Sequence, residues 1–325
     1  MLKAMALLKR KPSDGAPKAP FKQRFLAWWE GVDLPAAEAP PGRRAKDERE
    51  PAPEPPPPPI KLEPWENPAI RVRHAIWGEG FRGPGGAPFA LELVKPFAIN
   101  NSMSILDFGC GAGGPERAIV KEFDVWITGI EPDRMQVDVG KLLSSKAGLE
   151  RKAEIIAYDP ENFITRSGGF DCILSIDTMF RFESREVILA RLENSLKTRG
   201  QLTICDYVRA DNAAPDDPLI AAALGAEVPA LWTKSEYEKR FNELKFDLRV
   251  SEDITDKFRL MALIALDQVT KIPEGKSVIR TFPDAFLAEV GDWERKLAAV
   301  EAGNLKIFRF YGIKMGSASL MSNWS

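Results

Sequence analysis

The sequence predicts an α/β protein built on a parallel sheet with helices on both faces, and three observations carry that expectation. From Ala87 to Tyr207 helical and strand patterns alternate, the order that leaves strands parallel and joined by crossover helices. The strand segments, Cys172-Ile-Leu-Ser-Ile176 among them, are mostly apolar, as burial on both faces requires. The first strand runs into Gly109-Cys-Gly-Ala-Gly-Gly114 and then into a helix opened by Pro115. Glycines there let a ligand approach the main chain where any side chain would block it.

The elements follow in order. Asn67 caps a helix with Pro68 at its first position, running to Trp77 and stopped by Gly78. The segment 78–86 is too glycine-rich for regular structure and reads as a lid over a ligand or as a surface connection. Then come a helix to about Ala98, strand 104–109, helix 115–123, strand 125–131, helix 133–147, strands 153–158 and 170–176, helix 184–197 and strand 201–207. After Val208 the pattern turns helical, at 217–225 and behind a Thr233/Glu236 capping box. A strand near 246–251, helical stretches at about 256–270 and 283–302, and a last strand at 305–313 complete the chain.

Composition sets limits on partners. With 325 residues, 45 Lys and Arg against 47 Asp and Glu, the net charge is −2, so no overall field recruits nucleic acid. Length fits one catalytic domain, residues 65–315, with an appendage. Cys110, Cys172 and Cys205 fall on or beside core strands and read as reduced, buried thiols of a cytoplasmic protein. With His74 the single histidine, no metal site is expected. No apolar run reaches the ~18 residues of a membrane span.

Residues 1–64 hold 14 of the 26 prolines and read as a disordered tail, because such a segment cannot bury enough apolar surface to fold alone. Within it Phe21, Phe25, Trp28, Trp29 and Val32 recur as one helical stripe over 21–33. That helix could dock on its own domain, on a membrane or on a protein partner. The basic residues Lys3, Lys9, Arg10, Lys11, Lys18, Lys22 and Arg24 favour an anionic membrane surface, so peripheral attachment through residues 1–34 is the accompanying expectation. Residues 316–325 read as a frayed end.

Gly109-x-Gly111-x-x-Gly114 also matches a dinucleotide fingerprint, with Glu131 near the ribose-binding position. Asp107, two residues before the first glycine, and Asp159 at a later strand end suit instead a cofactor with an amino-acid tail, a ribose and an adenine. Ile105-Leu-Asp-Phe-Gly-Cys-Gly-Ala-Gly-Gly114 resembles the first motif of class I S-adenosylmethionine-dependent methyltransferases. Trp126-Ile-Thr-Gly-Ile-Glu-Pro-Asp133, Ala153-Glu-Ile-Ile-Ala-Tyr-Asp159, Phe170-Asp-Cys-Ile-Leu-Ser-Ile-Asp177 and Gly200-Gln-Leu-Thr-Ile-Cys-Asp-Tyr207 resemble its next four landmarks. The resemblance implies a Rossmann-like sheet of seven strands with the last antiparallel, a helical lid, and S-adenosylmethionine as cofactor. Its binding residues would be Asp107, Gly109, Gly111, Gly113, Glu131, Pro132, Tyr158 and Asp159, with Glu131 on the ribose hydroxyls and Asp159 facing the adenine amino group.

Over roughly 70–315 the chain is similar, more narrowly, to the phosphoethanolamine N-methyltransferases, through Ile76-Trp-Gly-Glu-Gly-Phe-Arg-Gly-Pro-Gly-Gly86, Ser175-Ile-Asp-Thr178, Ile204-Cys-Asp-Tyr207 and Gly291-Asp-Trp-Glu-Arg-Lys296. That similarity implies Asp177 as the acid facing the substrate amine, Tyr207 as a substrate-site tyrosine and Lys296 as a phosphate-side lysine. The chain departs from the family where its catalytic histidine is replaced by Arg181 and its tyrosine by Phe81, and where Glu227 and Pro229 stand near the phosphate-holding positions. Asp177, Tyr207 and Arg181 are the expected catalytic residues. Asp206 and His74 are further candidates to accept a proton. Methyl transfer to nitrogen or oxygen of a small molecule or lipid headgroup is the expected activity. The alternative is a cofactor-binding sensor or scaffold without catalysis.

Overall fold

The structure is a computed structural model and describes residues 63–160 and 167–316. The expected tail with its helix at 21–33, and the stretch 316–325, lie outside the described residues except for Glu63, Pro64 and Gly316 at their inner edges.

Seven strands form one sheet: β1 (Ser104–Phe108), β2 (Trp126–Glu131), β3 (Ala153–Ala157), β4 (Phe170–Ile176), β5 (Leu196–Arg209), β6 (Phe246–Asp253) and β7 (Leu305–Lys314), in the order β3-β2-β1-β4-β5-β7-β6. The first five are parallel, and β7 runs antiparallel between β5 and β6. From β1 the chain steps outward to β2 and β3, then returns to the other side for β4 and β5. The reversal opens a crevice beyond the carboxyl ends of β1 and β4, the place where such sheets bind ligands.

Local signals fix several helices. The Asn67 side chain accepts from the amides of Ala69 and Ile70 at 2.9 and 3.4 Å and opens α1 (Pro68–Trp77), which Gly78 ends. After α2 (Gly86–Val94), α3 (Gly114–Phe123) follows the glycine turn and α4 (Arg134–Lys146) is capped by Asp133. Beyond α5 (Arg185–Ser195) and α6 (Pro218–Leu224), the Thr233/Glu236 capping box forms at the start of α7 (Lys234–Glu243). Leu106, Ile173, Leu202 and Ile204 of the sheet pack with Ile188, Leu189 and Leu192 of α5 and Phe241 of α7 in one core cluster. Each such side chain contributes about 1.5–3 kcal/mol of transfer free energy when fully buried.

Three boundaries differ from expectation. The helix expected from 87 to 98 ends at Val94 and continues as a 3-10 turn over Lys95–Phe97, because Pro96 has no amide hydrogen to continue the α ladder. β5 starts at Leu196, five residues early, since Leu196 pairs with Phe170 across a bulge. After β6 there are three helices rather than two: α8 (Thr255–Val269), α9 (Pro273–Thr281) and α10 (Pro283–Glu301). Pro273 and Pro283 each open a helix, where a missing donor costs nothing.

Glu289 ties this helical layer to α1. Its buried carboxylate accepts from Trp77 Nε1 at 2.8 Å, Trp293 Nε1 at 3.2 Å and Arg73 Nε at 3.0 Å, and the two indoles pack at 4.6 Å. The α10 residues facing the crevice are held from behind by that cluster.

Candidate active site

The glycine turn is built by β2 as much as by β1. Ile130 O accepts from the amides of Gly109 and Cys110 at 2.8 and 3.2 Å. The Glu131 carboxylate, buried at the end of β2, accepts from Gly111 N at 2.8 Å and Asp133 N at 3.1 Å. Gly109 and Gly111 adopt φ of 79° and 60°, the left-handed region that glycine occupies at no steric cost. A Cβ on Gly109 would collide with Thr178, and one on Gly111 would lie 3.0 Å from the Arg82 side chain. Asp107 is buried on the crevice wall with Oδ2 lacking any hydrogen-bond partner. Burial first, and then Glu116, push its carboxyl well above the usual carboxylate range, against the opposing charge of Arg82. A bare glycine cradle beside an unsatisfied buried acid fits a ligand that brings hydrogen-bond donors, as the amino-acid end of S-adenosylmethionine would.

The other expected cofactor residues divide. Pro132 is exposed beyond β2, Tyr158 is half-buried with its ring 5.5 Å from Phe108, and Asp159 is exposed just past β3. Gly113 does not face the crevice. A Cβ there would meet Arg117 Nη1 at 2.9 Å and Glu116 at 3.3 Å, so the packing of α3 on the sheet demands glycine at that position.

Across the crevice, Asp177 directly follows β4, and its φ of 50° is rare for a residue with a side chain. Its amide donates to Cys205 O at 2.9 Å, while Oδ1 is buried without a partner. Burial raises its pKa to about 6 against the pull of Arg82, Lys296 and Arg181. Tyr207 is buried beside it, edge-on to Phe180 at 5.1 Å and Phe258 at 6.1 Å. Phe258 in turn packs against Phe89 and Trp293 at 6.2 and 6.0 Å, and Lys296 Nζ lies 4.7 Å over the Trp293 ring. Arg181 is exposed, lies over Phe180 at 4.9 Å and reaches back to the Asp177 carbonyl at 3.5 Å.

Asp206, expected in the same cleft, faces away from it. Side chains alternate along a strand, and with Tyr207 on the crevice side Asp206 points to the other face, where Oδ2 accepts from Tyr237 Oη at 2.6 Å. His74 is not in the site. It is half-buried on α1, and burial, helped by Arg117 and Arg71 against Glu79, lowers its pKa to about 4. Among the described residues no His, Cys, Asp or Glu cluster is arranged to hold a metal ion.

Three site residues escape a reading of the sequence. Thr178 Oγ1 donates to Gly109 O at 3.2 Å and Ile176 O at 2.8 Å, joining β4 to the turn. Glu116, on the first turn of α3, is fully buried beneath the turn near the Cys110 thiol, and burial raises it to about 7 against the pull of its backbone hydrogen bond, Arg117 and that thiol. Arg82 projects from the glycine-rich loop onto the turn, with Nη2 donating to Gly109 O at 2.7 Å. That loop is no free surface connection: Gly114 N donates to Gly80 O at 3.2 Å and Arg117 Nη2 to Glu79 O at 3.3 Å.

A five-stranded parallel sheet extended by an antiparallel β7 and β6, with a glycine turn after β1 and an acid ending β2, defines a Rossmann-like fold of the methyltransferase type. The chain belongs to the methyltransferase domain family, whose family model matches residues 87–250. It is 27% identical over 233 residues to phosphoethanolamine N-methyltransferase 3 of Arabidopsis thaliana, covering 71% of this chain and 46% of that protein. A sterol 24-C-methyltransferase of Neurospora crassa is 26% identical over 170 residues, 51% of this chain and 45% of the relative. The chain thus spans about half the length of the curated relatives it matches. Among solved structures it resembles Haemonchus contortus phosphoethanolamine N-methyltransferase 2 in complex with phosphomonomethylethanolamine and S-adenosylhomocysteine, with a TM-score of 0.69 and 20% identity, covering 78% of this chain and 59% of that one.

Proposed function

We propose that this protein is an S-adenosylmethionine-dependent methyltransferase acting on nitrogen or oxygen of a small molecule or lipid headgroup. One observation carries the choice of chemistry: Asp177, at the end of β4 and facing the glycine turn, holds a buried carboxyl oxygen with no partner. When bound, S-adenosylmethionine supplies a methyl group already activated on a sulfonium, so the protein's task is alignment and proton removal. Asp107 and the Gly109 carbonyl would receive the cofactor's amino-acid end, Glu131 its ribose hydroxyls, and Tyr158 and Asp159 its adenine side. As the acceptor's lone pair takes the methyl group, its N–H or O–H proton passes to Asp177. Phe258, Trp293 and the edge of Tyr207 exclude water, while Arg181 and Lys296 suit an anionic group on the acceptor.

Phosphoethanolamine, named for two of the relatives above, is not the proposed acceptor. Arg181 stands at the histidine position, Glu227 is exposed, and the Pro229 carbonyl is engaged by Arg185 at 3.4 Å. Radiolabelled methyl transfer to a panel of amines, phenols, lipid headgroups and phosphoethanolamine tests the reading. Transfer that depends on Asp177 is expected to at least one acceptor other than phosphoethanolamine. Robust turnover of phosphoethanolamine would contradict the acceptor assignment, and no transfer to any acceptor would contradict the activity.

Attachment to anionic membranes through residues 1–34 belongs to the same proposal and rests on their basic and aromatic sequence. Among the described residues no helix is long and apolar enough to cross a membrane. Salt-weakened sedimentation of the full chain with anionic vesicles, lost in a chain beginning at Pro64, is the expected result. Equal sedimentation of the two would sink it.

A further inference from the structure

We propose that Arg82 is a resident occupant of the cofactor cleft, so that cofactor binds by displacing a guanidinium the protein itself supplies. The inference rests on reading the cleft as the S-adenosylmethionine site. Arg82 Nη2 donates to Gly109 O at 2.7 Å and to Thr178 Oγ1 at 3.3 Å, and Nη1 lies 3.6 Å from Glu131 Oε2. Its stem runs along the bare backbone of Gly111, where a Cβ would stand 3.0 Å from Cδ and Nε. A cationic donor thus uses the same carbonyl and carboxylate that an ammonium and a pair of ribose hydroxyls would use.

Space leads to the same conclusion. With Arg82 in place, the cleft between the loop, the turn and Asp177 has a free volume of about 50 Å³, whereas sites for ligands of cofactor size run to roughly 300–1,000 Å³. Guanidinium and ligand exclude one another by volume and, for a sulfonium cofactor, by charge.

The loop is built so that its tip can leave while its base stays. Its first half is pinned by the Gly80 O and Glu79 O hydrogen bonds to Gly114 and Arg117. After Arg82 come Gly83, Pro84, Gly85 and Gly86, with φ of 95° at Gly85 and 52° at Gly86. A glycine-rich segment beyond a fixed base can absorb a large change in φ and ψ. Arg82 makes its closest contacts with neutral oxygens, and its ion pair with the buried Glu131 carboxylate, at 3.6 Å, is longer than a hydrogen bond. The ligand must break two hydrogen bonds and this one ion pair, and its own donors can replace them on Gly109 O and Glu131.

Occupied in this way, the site lowers apparent affinity by the fraction of molecules in which the cleft is open. Titration calorimetry of S-adenosylhomocysteine into the full chain and its variants measures that fraction. Arg82→Ala is expected to bind about tenfold or more tightly than the natural sequence. Arg82→Lys, which keeps the charge but loses the planar fork, is expected to fall between them. Stopped-flow association should be faster in the alanine variant by a similar factor. Arg82→Gln, which keeps most of the stem, decides the matter if Arg82→Ala does not melt cooperatively. Unchanged or weaker binding in the folded variants overturns the proposal, and weaker binding would make Arg82 a ligand of the cofactor. If the natural sequence and the variants all melt cooperatively and none binds, the cofactor reading fails and this inference with it.

Discussion

At Asp177, burial and three neighbouring cations act in opposite directions, and burial wins: the carboxyl is held near pKa 6 rather than below 4. The carboxylate is the form that takes a proton, so kcat/KM is expected to rise with pH through about 6 and then level off. Asp177→Asn should lower kcat by about 10²–10⁴-fold, the usual worth of a positioned general base, and remove that rising limb. A pH–rate profile of the variant that keeps the limb would remove Asp177 from the proton path. Glu116 shows the same physics without a ligand to justify it. Its folded pKa of about 7 lies above the ordinary value of 4.5. Below pH 4.5 both folded and unfolded chains hold the proton. Between 4.5 and 7 only the folded chain does, so stability falls as pH rises and stays low above 7. Glu116→Gln should therefore melt higher than the natural sequence at pH 8, by an amount on the order of 2–3 kcal/mol, and the two should converge near pH 4.5. A gap of equal size at both pH values would contradict the raised pKa of Glu116.

Among the elements, α10 is held to α1 by one carboxylate. Glu289→Ala would leave two indole N–H groups and a guanidinium facing a buried gap, at a cost of about 3–5 kcal/mol. Because α10 also carries Trp293 and Lys296, the acceptor KM should rise by more than the cofactor dissociation constant. Calorimetric melting and steady-state kinetics check both, and an unchanged melting temperature would mean the cluster is not a tie. Elements fixed by local signals were legible in the chain: Asn67 with Pro68, Thr233 with Glu236, and the strand that feeds Gly109. What was not legible depends on contacts distant in sequence. Helix α9 carries Gly275, where an added Cβ would collide with the Val269 carbonyl, and the sequence pattern assigns this stretch no element. Asp206 faces Tyr237 because of its place in the alternation of a fourteen-residue strand. Arg82, alone among glycines, gives no periodic signal, and only the folded loop brings it to Gly109.

Over the whole molecule, the order of strands decides where chemistry can occur. Asp107, Gly109 and Asp177 line one cleft because β1 and β4 are neighbours with their carboxyl ends together, and Phe258 of α8 lines the same cleft. The most direct test of that convergence is calorimetric titration of S-adenosylhomocysteine into the natural sequence and into Gly111→Arg, with Asp107→Ala alongside. Gly111 has φ of 60° and a neighbour 3.0 Å from any added Cβ, so an arginine there fills the cradle and strains the turn. The prediction is one saturable site per chain in the natural sequence and a loss of at least about 100-fold in both variants, each still melting cooperatively. Natural affinity in Gly111→Arg, or tight binding of NAD by the natural sequence, would contradict it.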